Sequence, residues 1–497
     1  MLQWLSSKWL EVSGLSLRAK IARIVKYVAL ILTIVKLVTS SSELRSHWLL
    51  ASQQMQALNL LDAKDARRAL DVLRNFVSAN GGLLFGVTFT LLSKLIDARL
   101  SKSILRTTYD YNFYDRRPFD DIEKQLSGNA PGEPRVAKFG AASGWTDPKI
   151  NRHVLQRADR NDTIPYQVRS GRWLAYDPAD TSQKSPKGYL RSYVIAKAWD
   201  EGQHVFNGDK VRLCNDLNSA TIELQETDYL SSMMTDAVAF RSITSATDPP
   251  ITYSDGANSF LLAVPNGPYR LRSLSDTKSS NQLGASTLAF TSDGYIPLIY
   301  QTRHNAHSGR MIAPSGSGSF DWKDVKAVKS QNLLDLVRYA AAREVLEETG
   351  ALGYTDLTVA QVASQYILPY AFARLIHRGG KPEFFCLACL PLTMRELQKR
   401  KPRRIELIYT EKLFAHDASC LDQTRDLKSQ LLRICDHYSS TTHFFANETV
   451  ARSFALSYQV LHGLALLKEA LADAESSPLI LRFLLTHFSN RSAPIAG

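Results

Sequence analysis

Residues Asn332 to Gly350, NLLDLVRYAAAREVLEETG, place Glu344, Glu347 and Glu348 at a spacing that a helix gathers onto one side. At ~100° per residue the three carboxylates fall within an arc of roughly 100°. Tyr339, Ala342, Val345 and Leu346 fall on the opposite side, where a core is expected. Asn332 reads as the N-cap and Gly350 as the residue just past the helix end. Arg343 precedes Glu347 by one helical turn, the separation at which opposite charges pair. Three acids this close repel one another unless a cation sits among them. A hard divalent cation suits the position, because it takes oxygen ligands and keeps waters that phosphate oxygens replace. Such a site polarises a diphosphate and activates a water. A solvated acidic helix face has the same pattern, and composition alone does not separate the two readings.

Arg343 to Gly350, REVLEETG, resembles the core of the Nudix box. The second half of that pattern, Arg-Glu-apolar-any-Glu-Glu-any-Gly-apolar, is met from Arg343 to Ala351. The first half departs from it: Asp335 stands where Glu is expected, and Lys329 where Gly is expected. The Gly-rich loop corresponds to Pro314-Ser315-Gly316-Ser317-Gly318, displaced by the insertion FDWKDVKAVKS. Upstream, Leu283 to Phe290 and Tyr295 to Arg303 read as a strand pair around the turn Ser292-Asp293-Gly294. The resemblance implies a Nudix-type α/β/α sandwich in which Glu347 and Glu348 hold Mg²⁺ or Mn²⁺. It further implies that Glu344 holds metal or orients the attacking water, and that Arg343 positions the glutamates. Ser315, Gly316 and Arg303 become the nucleotide-binding residues, and Glu383, at the mouth of the strand Phe384 to Leu390, an additional metal ligand.

A chain of 497 residues argues for two or three domains. The net charge of +12 favours anionic partners: a membrane surface, a nucleotide or a nucleic acid. Five scattered cysteines suit a reducing compartment better than a disulfide framework. Cys386 and Cys389 form a lone CxxC inside the apolar run FFCLACL, which favours a buried strand over a zinc site.

Residues 1–23 read either as an amphipathic helix on a membrane or as an ordinary surface helix. About 24–42 and 76–94 read as two membrane spans; Phe76 to Ser93 carries no charge. The Lys and Arg excess outside this hairpin puts both termini in the cytoplasm. Short alternating runs at Tyr189 to Ala198, Lys210 to Cys214 and Phe260 to Val264 suggest strands, and Gln225 to Phe240 a helix. Downstream, Asp356 to Ser364 reads as a strand and Asn447 to Ala474 as a long helix.

The expected fold class is α+β: an N-terminal transmembrane helical hairpin (1–106), a strand-rich extension (107–280), a cytoplasmic Nudix-type sandwich (281–420) and C-terminal helices (421–497). In outline the chain resembles the membrane-anchored Nudix effectors of the bacterial anti-phage systems that signal through cyclic oligonucleotides (CBASS). That resemblance implies an inner-membrane, multi-pass homo-oligomer that binds a cyclic oligonucleotide and breaks the bilayer. The alternative is a membrane-tethered Mg²⁺-dependent hydrolase of a nucleoside diphosphate derivative. Neither reading calls for a nucleic acid polymer.

Overall fold

The computed structural model describes residues 133–488, apart from internal stretches of which the longest are 180–186, 196–206, 245–251, 263–269, 303–309, 352–357, 400–409 and 418–425. The chain opens with β1 (Arg135–Phe139), β2 (Ala142–Thr146), α1 (Pro148–Arg160), β3 (Tyr166–Arg172), β4 (Asp209–Leu213) and β5 (Ile222–Asp228). Then come α2 (Tyr229–Thr235), β6 (Ser242–Thr244), β7 (Thr252–Asp255), α3 (Gly256–Phe260), β8 (Leu261–Leu262) and β9 (Arg270–Leu271). The middle holds β10 (Gly284–Phe290), β11 (Tyr295–Gln301), β12 (Met311–Ala313), β13 (Gly316–Ser319), α4 (Trp322–Ala327), α5 (Leu333–Glu348) and α6 (Val359–Tyr366). The last part is β14 (Ile367–Leu375), β15 (Lys381–Cys389), α7 (Met394–Gln398), β16 (Thr410–Asp417), α8 (Leu427–His437), β17 (Thr442–Ala446), β18 (Ala451–Leu456), α9 (Tyr458–Ala472) and α10 (Ser476–Phe488).

The largest sheet has six strands in the order β1-β2-β14-β15-β10-β13. Every residue of β14, β15 and β10 is buried, so both faces of the sheet are covered. This accounts for the unbroken apolar run around Cys386 and Cys389, both of them buried strand residues. Helix α5 covers one face: a side chain at Gly316 or Gly318 would run into Val345 or Glu344. Helix α9 covers the other: Tyr370 Oη donates to the Gly463 carbonyl at 2.6 Å, and Gly463 also lies against Phe385. The central part is therefore helix, sheet, helix. One apolar core runs from Val154 through Phe290 and Leu387 to Leu484, uniting the extension, the middle and the C-terminal helices.

Several local expectations change. The strands β10 and β11 are not partners; β10 lies between β15 and β13, whereas β11 pairs β16 and β12 in a five-stranded sheet. Their turn does form, with Gly294 N donating to Thr291 O. Within the strand expected at Asp356 to Ser364, the described residues from Thr358 onward instead begin α6, which opens with a Thr358/Gln361 capping box. The expected helix from Gln225 begins only at Tyr229, after β5 ends. The expected long C-terminal helix likewise begins only at Tyr458, after β18.

The two expected membrane spans lie outside the described residues. Among the described residues, no helix is long and apolar enough to cross a membrane. The most apolar candidates, α9 and α10, have 15 and 13 residues, short of the ~20 that a bilayer requires. The transmembrane hairpin in the expected fold class, and the multi-pass inner-membrane location drawn from it, therefore have no support among the described residues.

His462 of α9 is fully buried, stacked 5.8 Å from His377. Burial, helped by the neighbouring His377, holds its pKa well below 6.5. The unfolded chain then binds the proton more readily than the folded one, so stability falls as pH drops below about 6.5. We expect the unfolding free energy from urea titrations between pH 7.5 and 5.5 to decline at up to ~1.4 kcal/mol per pH unit. In His462→Leu the decline should be distinctly shallower.

Candidate functional site

Asn332 begins α5 as its N-cap, accepting from Leu334 N at 3.2 Å, and the same oxygen accepts from Ile164 N at 3.0 Å. The extension is thus stitched to the start of the helix. Arg338 adds a second tie, donating to Ala158 O and Asn161 Oδ1. Past the helix, Gly350 has φ +75°, the left-handed conformation expected of it. Ala342, Val345 and Leu346 are fully buried, as their side of the helix required.

The opposite side differs from an open acidic face, because Arg343 is buried in it. Its Nη1 lies 2.9 Å from Glu344 Oε1 and 2.9 Å from Glu347 Oε2. Its Nε and Nη2 meet the two oxygens of Asp324, each at 3.0 Å, in a fork-to-fork pair. Asp321 stands 3.7 Å away. Burial opposes the charge on Arg343, yet Glu344, Asp324 and Asp321 outweigh it and hold the pKa well above its ordinary value. Burial also pushes the Glu344 carboxyl upward; Arg343 opposes that, and Glu347 reinforces it. For Asp321, Lys210 and Arg343 overcome the cost of burial and hold the pKa at about 2.

The strand β13 is pressed onto this helix. A Cβ on Gly316 would lie 2.5 Å from Val345 N, and one on Gly318 would overlap the Glu344 carboxylate. Only glycine fits at 316, where the neighbour is helix backbone, whereas a side chain at 318 requires the Glu344 carboxylate to move. β13 is an edge strand, and Glu348 satisfies one of its amides: Ser317 N donates to Glu348 Oε2 at 3.0 Å.

The expected site residues therefore divide. Arg343, Glu344 and Glu347 come together. Glu348 is engaged by the β13 backbone, accepting from Ser317 N. Glu383 points to the other face of the sheet: it pairs in register with Gly284, whereas the α5-facing residue of β10 beside Gly318 is Ala285. There Glu383 accepts from Ser286 Oγ at 2.6 Å and pairs with Lys381, both fully enclosed. It is thus no ligand to an ion held by α5. Ser315 is buried and occupied, accepting from Ala289 N at 2.8 Å and donating to Pro297 O at 2.6 Å. It ties β10 to β11 and offers nothing to a nucleotide, while Gly316 serves helix–strand packing. Asp335 pairs with Arg338 and Lys329 is exposed, both apart from the acidic group. Arg303 lies outside the described residues.

Among the described residues, no group of three or more His, Cys, Asp or Glu side chains is placed to hold a metal ion. Of the expected ligands Glu344, Glu347, Glu348 and Glu383, the two that share one nitrogen of Arg343 are Glu344 and Glu347. Two carboxylates remain compatible with Mg²⁺, which keeps several waters and completes its shell with substrate phosphate. The donor chemistry fits, and so does the Glu344 carboxyl, whose pKa is raised by burial first and by Glu347 after it.

The residues that sequence reasoning missed are Asp321, Asp324 and Lys210. Asp321 and Asp324 lie in the insertion, where Asp-x-x-Asp before an apolar residue signals a helix start. Asp321 N donates to Asp324 Oδ2 at 2.9 Å, confirming that arrangement. Lys210 lies far upstream in the sequence, and nothing local marks it.

The chain matches no protein-family model, and no curated protein matches it in sequence.

Asp324→Ala would leave a buried guanidinium short of its best partner. We expect a loss of ~3 kcal/mol or more in chemical denaturation, with Asp324→Asn milder. Gly318→Ala should displace Glu344 and lower stability by ~1–3 kcal/mol.

Proposed function

We propose that α5 and β13 form a Nudix-type site that hydrolyses a nucleoside diphosphate linked to another moiety, with Mg²⁺ or Mn²⁺ as cofactor. The observation that carries the reading is Glu344 and Glu347 meeting on one guanidinium nitrogen, with Glu344 against Gly318 of β13. The Nudix-like residues REVLEETG supply the same groups in sequence. A divalent cation bound there would polarise the diphosphate and acidify a water.

The chain's own residues have separate tasks. Arg343 fixes both carboxylates, and Asp324 fixes Arg343. Glu344, whose pKa burial raises, is suited to accept a proton from the attacking water at Oε2, since Oε1 faces Arg343. As the water oxygen bonds to phosphorus, the bridging P–O bond breaks and its electron pair leaves with the departing phosphate. Glu348 does not take part directly; it holds β13 against the helix.

The membrane half of the effector reading has no support among the described residues. The ligand half survives as a second reading, capture of a cyclic oligonucleotide without turnover. What favours it is the Gly-rich segment itself: β13 is a paired strand with Ser317 N already engaged, rather than an open loop.

The test uses the full-length chain with nucleotide sugars, dinucleotides and cyclic oligonucleotides, with and without Mg²⁺. We expect Mg²⁺-dependent release of nucleoside monophosphate. Glu344→Gln and Glu347→Gln should lower kcat by ~100-fold or more. Glu348→Gln should act chiefly on stability. Binding of a cyclic oligonucleotide with no cleavage of any compound would favour the receptor reading over the hydrolase.

A further inference from the structure

Two lysines flank the carboxylates, and neither belongs to the Nudix-like segment. Lys210 comes from β4, in the extension; its Nζ donates to Asp321 Oδ1 at 2.5 Å. Lys323 comes from α4, in the insertion; its Nζ lies 3.0 Å from Asp321 Oδ2. Backbone pairing fixes Lys210 in place. Val211 N donates to Phe320 O and Leu283 N donates to Val211 O, which wedges β4 between β10 and the start of α4. Val211 and Leu213 point into the core, and Lys210, between Asp209 and Val211, projects towards the carboxylates. The charge on Lys210 reaches Glu344, and that on Lys323 is felt with Glu347. Both ammonium groups stand on Asp321, one at each of its carboxylate oxygens.

The charge balance gives these lysines a purpose beyond bracing Asp321. Around Arg343 stand four carboxylates, Asp321, Asp324, Glu344 and Glu347, against three cations, Arg343, Lys210 and Lys323. With all ionised, the group carries one net negative charge. A divalent cation would turn that into one net positive charge, ready for an anion. Asp321 is also more heavily served than it needs to be, since Lys210, Lys323 and Arg343 all stand within 4 Å of it. A lysine can therefore leave Asp321 without stranding it.

We propose that Lys210 and Lys323 are the phosphate-holding residues of this site, with Lys210 exchanging Asp321 for a phosphate oxygen of a diphosphate group. Two ammonium groups set side by side at the two oxygens of Asp321 suit two linked phosphates, and each supplies three donors as a point charge. The extension thereby becomes part of the binding site rather than an appendage. The inference rests on the reading that the acidic group receives a divalent cation with a diphosphate.

The test measures binding of inorganic pyrophosphate with Mg²⁺ to the full-length chain by calorimetry. Lys210→Met and Lys323→Met should each weaken binding about tenfold or more. Lys210→Arg should recover most of that loss. Asp321→Asn, which releases Lys210, should leave affinity unchanged or improve it. If Lys210 serves only to brace Asp321, Asp321→Asn weakens binding as much as Lys210→Met does and Lys323→Met has no effect; that pattern overturns the proposal. Lys323 is 64% exposed, so its variant folds whatever happens at Lys210. Absence of pyrophosphate binding by the wild type also overturns the proposal. Binding of pyrophosphate in the predicted variant order, with no nucleotide cleaved, leaves the phosphate clamp standing and removes the hydrolase.

Discussion

The arrangement turns on one buried guanidinium. Arg343 is enclosed by carboxylates from the insertion and from its own helix, and no single partner would make that burial favourable. An isolated ion in such surroundings costs several kcal/mol, so the site exists only if all its partners arrive together. Asp324 brings the insertion against α5. Glu344 and Glu347 are then held with their remaining oxygens available. The insertion that separates the Gly-rich segment from the helix is consequently a structural component of the site. It supplies the acid that aims the arginine.

The sheet dictates the remaining geometry. Strand register decides which side of β15 and β10 each residue occupies, and it places Glu383 opposite α5 with Lys381 and Ser286. A one-residue shift in register would reverse that assignment. The other face carries its own buried charges, Arg378 and Lys381 against Asp236 and Glu383, close under the histidines of α9 and the turn at residues 376–378. The sheet thus separates two polar clusters that share no side chain, each satisfied from its own side.

The sequence made local features legible. The cap at Asn332, the end at Gly350, the buried side of α5 and the Arg343–Glu347 pair were all readable from spacing, because helical neighbours are fixed by chain geometry. The strands β10, β11 and β15 were readable from apolar runs, but their partners were not. Pairing β11 with β16 depends on residues more than a hundred positions away. The strand expected at Asp356 to Ser364 became a helix from Thr358 onward because a Thr358/Gln361 cap outweighs the β-branched residues around it. Glu348 illustrates a different limit: its spacing matched a ligand, but an unpaired edge amide at Ser317 captured it. Lys210 lay beyond reach, since only tertiary pairing of β4 with the Phe320 backbone brings it near.

The parallel neighbours at the centre of the sheet have a kinetic consequence. Ser286 and Glu383 touch across β10 and β15 although 97 residues separate them in the chain. All of α5 and its acidic partners are synthesised between those two strands. The chain must close that long loop before the central ladder can form, and non-local pairing of this kind is slow. Until β15 arrives, β10 presents an apolar edge to the solvent. A nascent or refolding molecule passes through a state in which self-association competes with completion of the sheet.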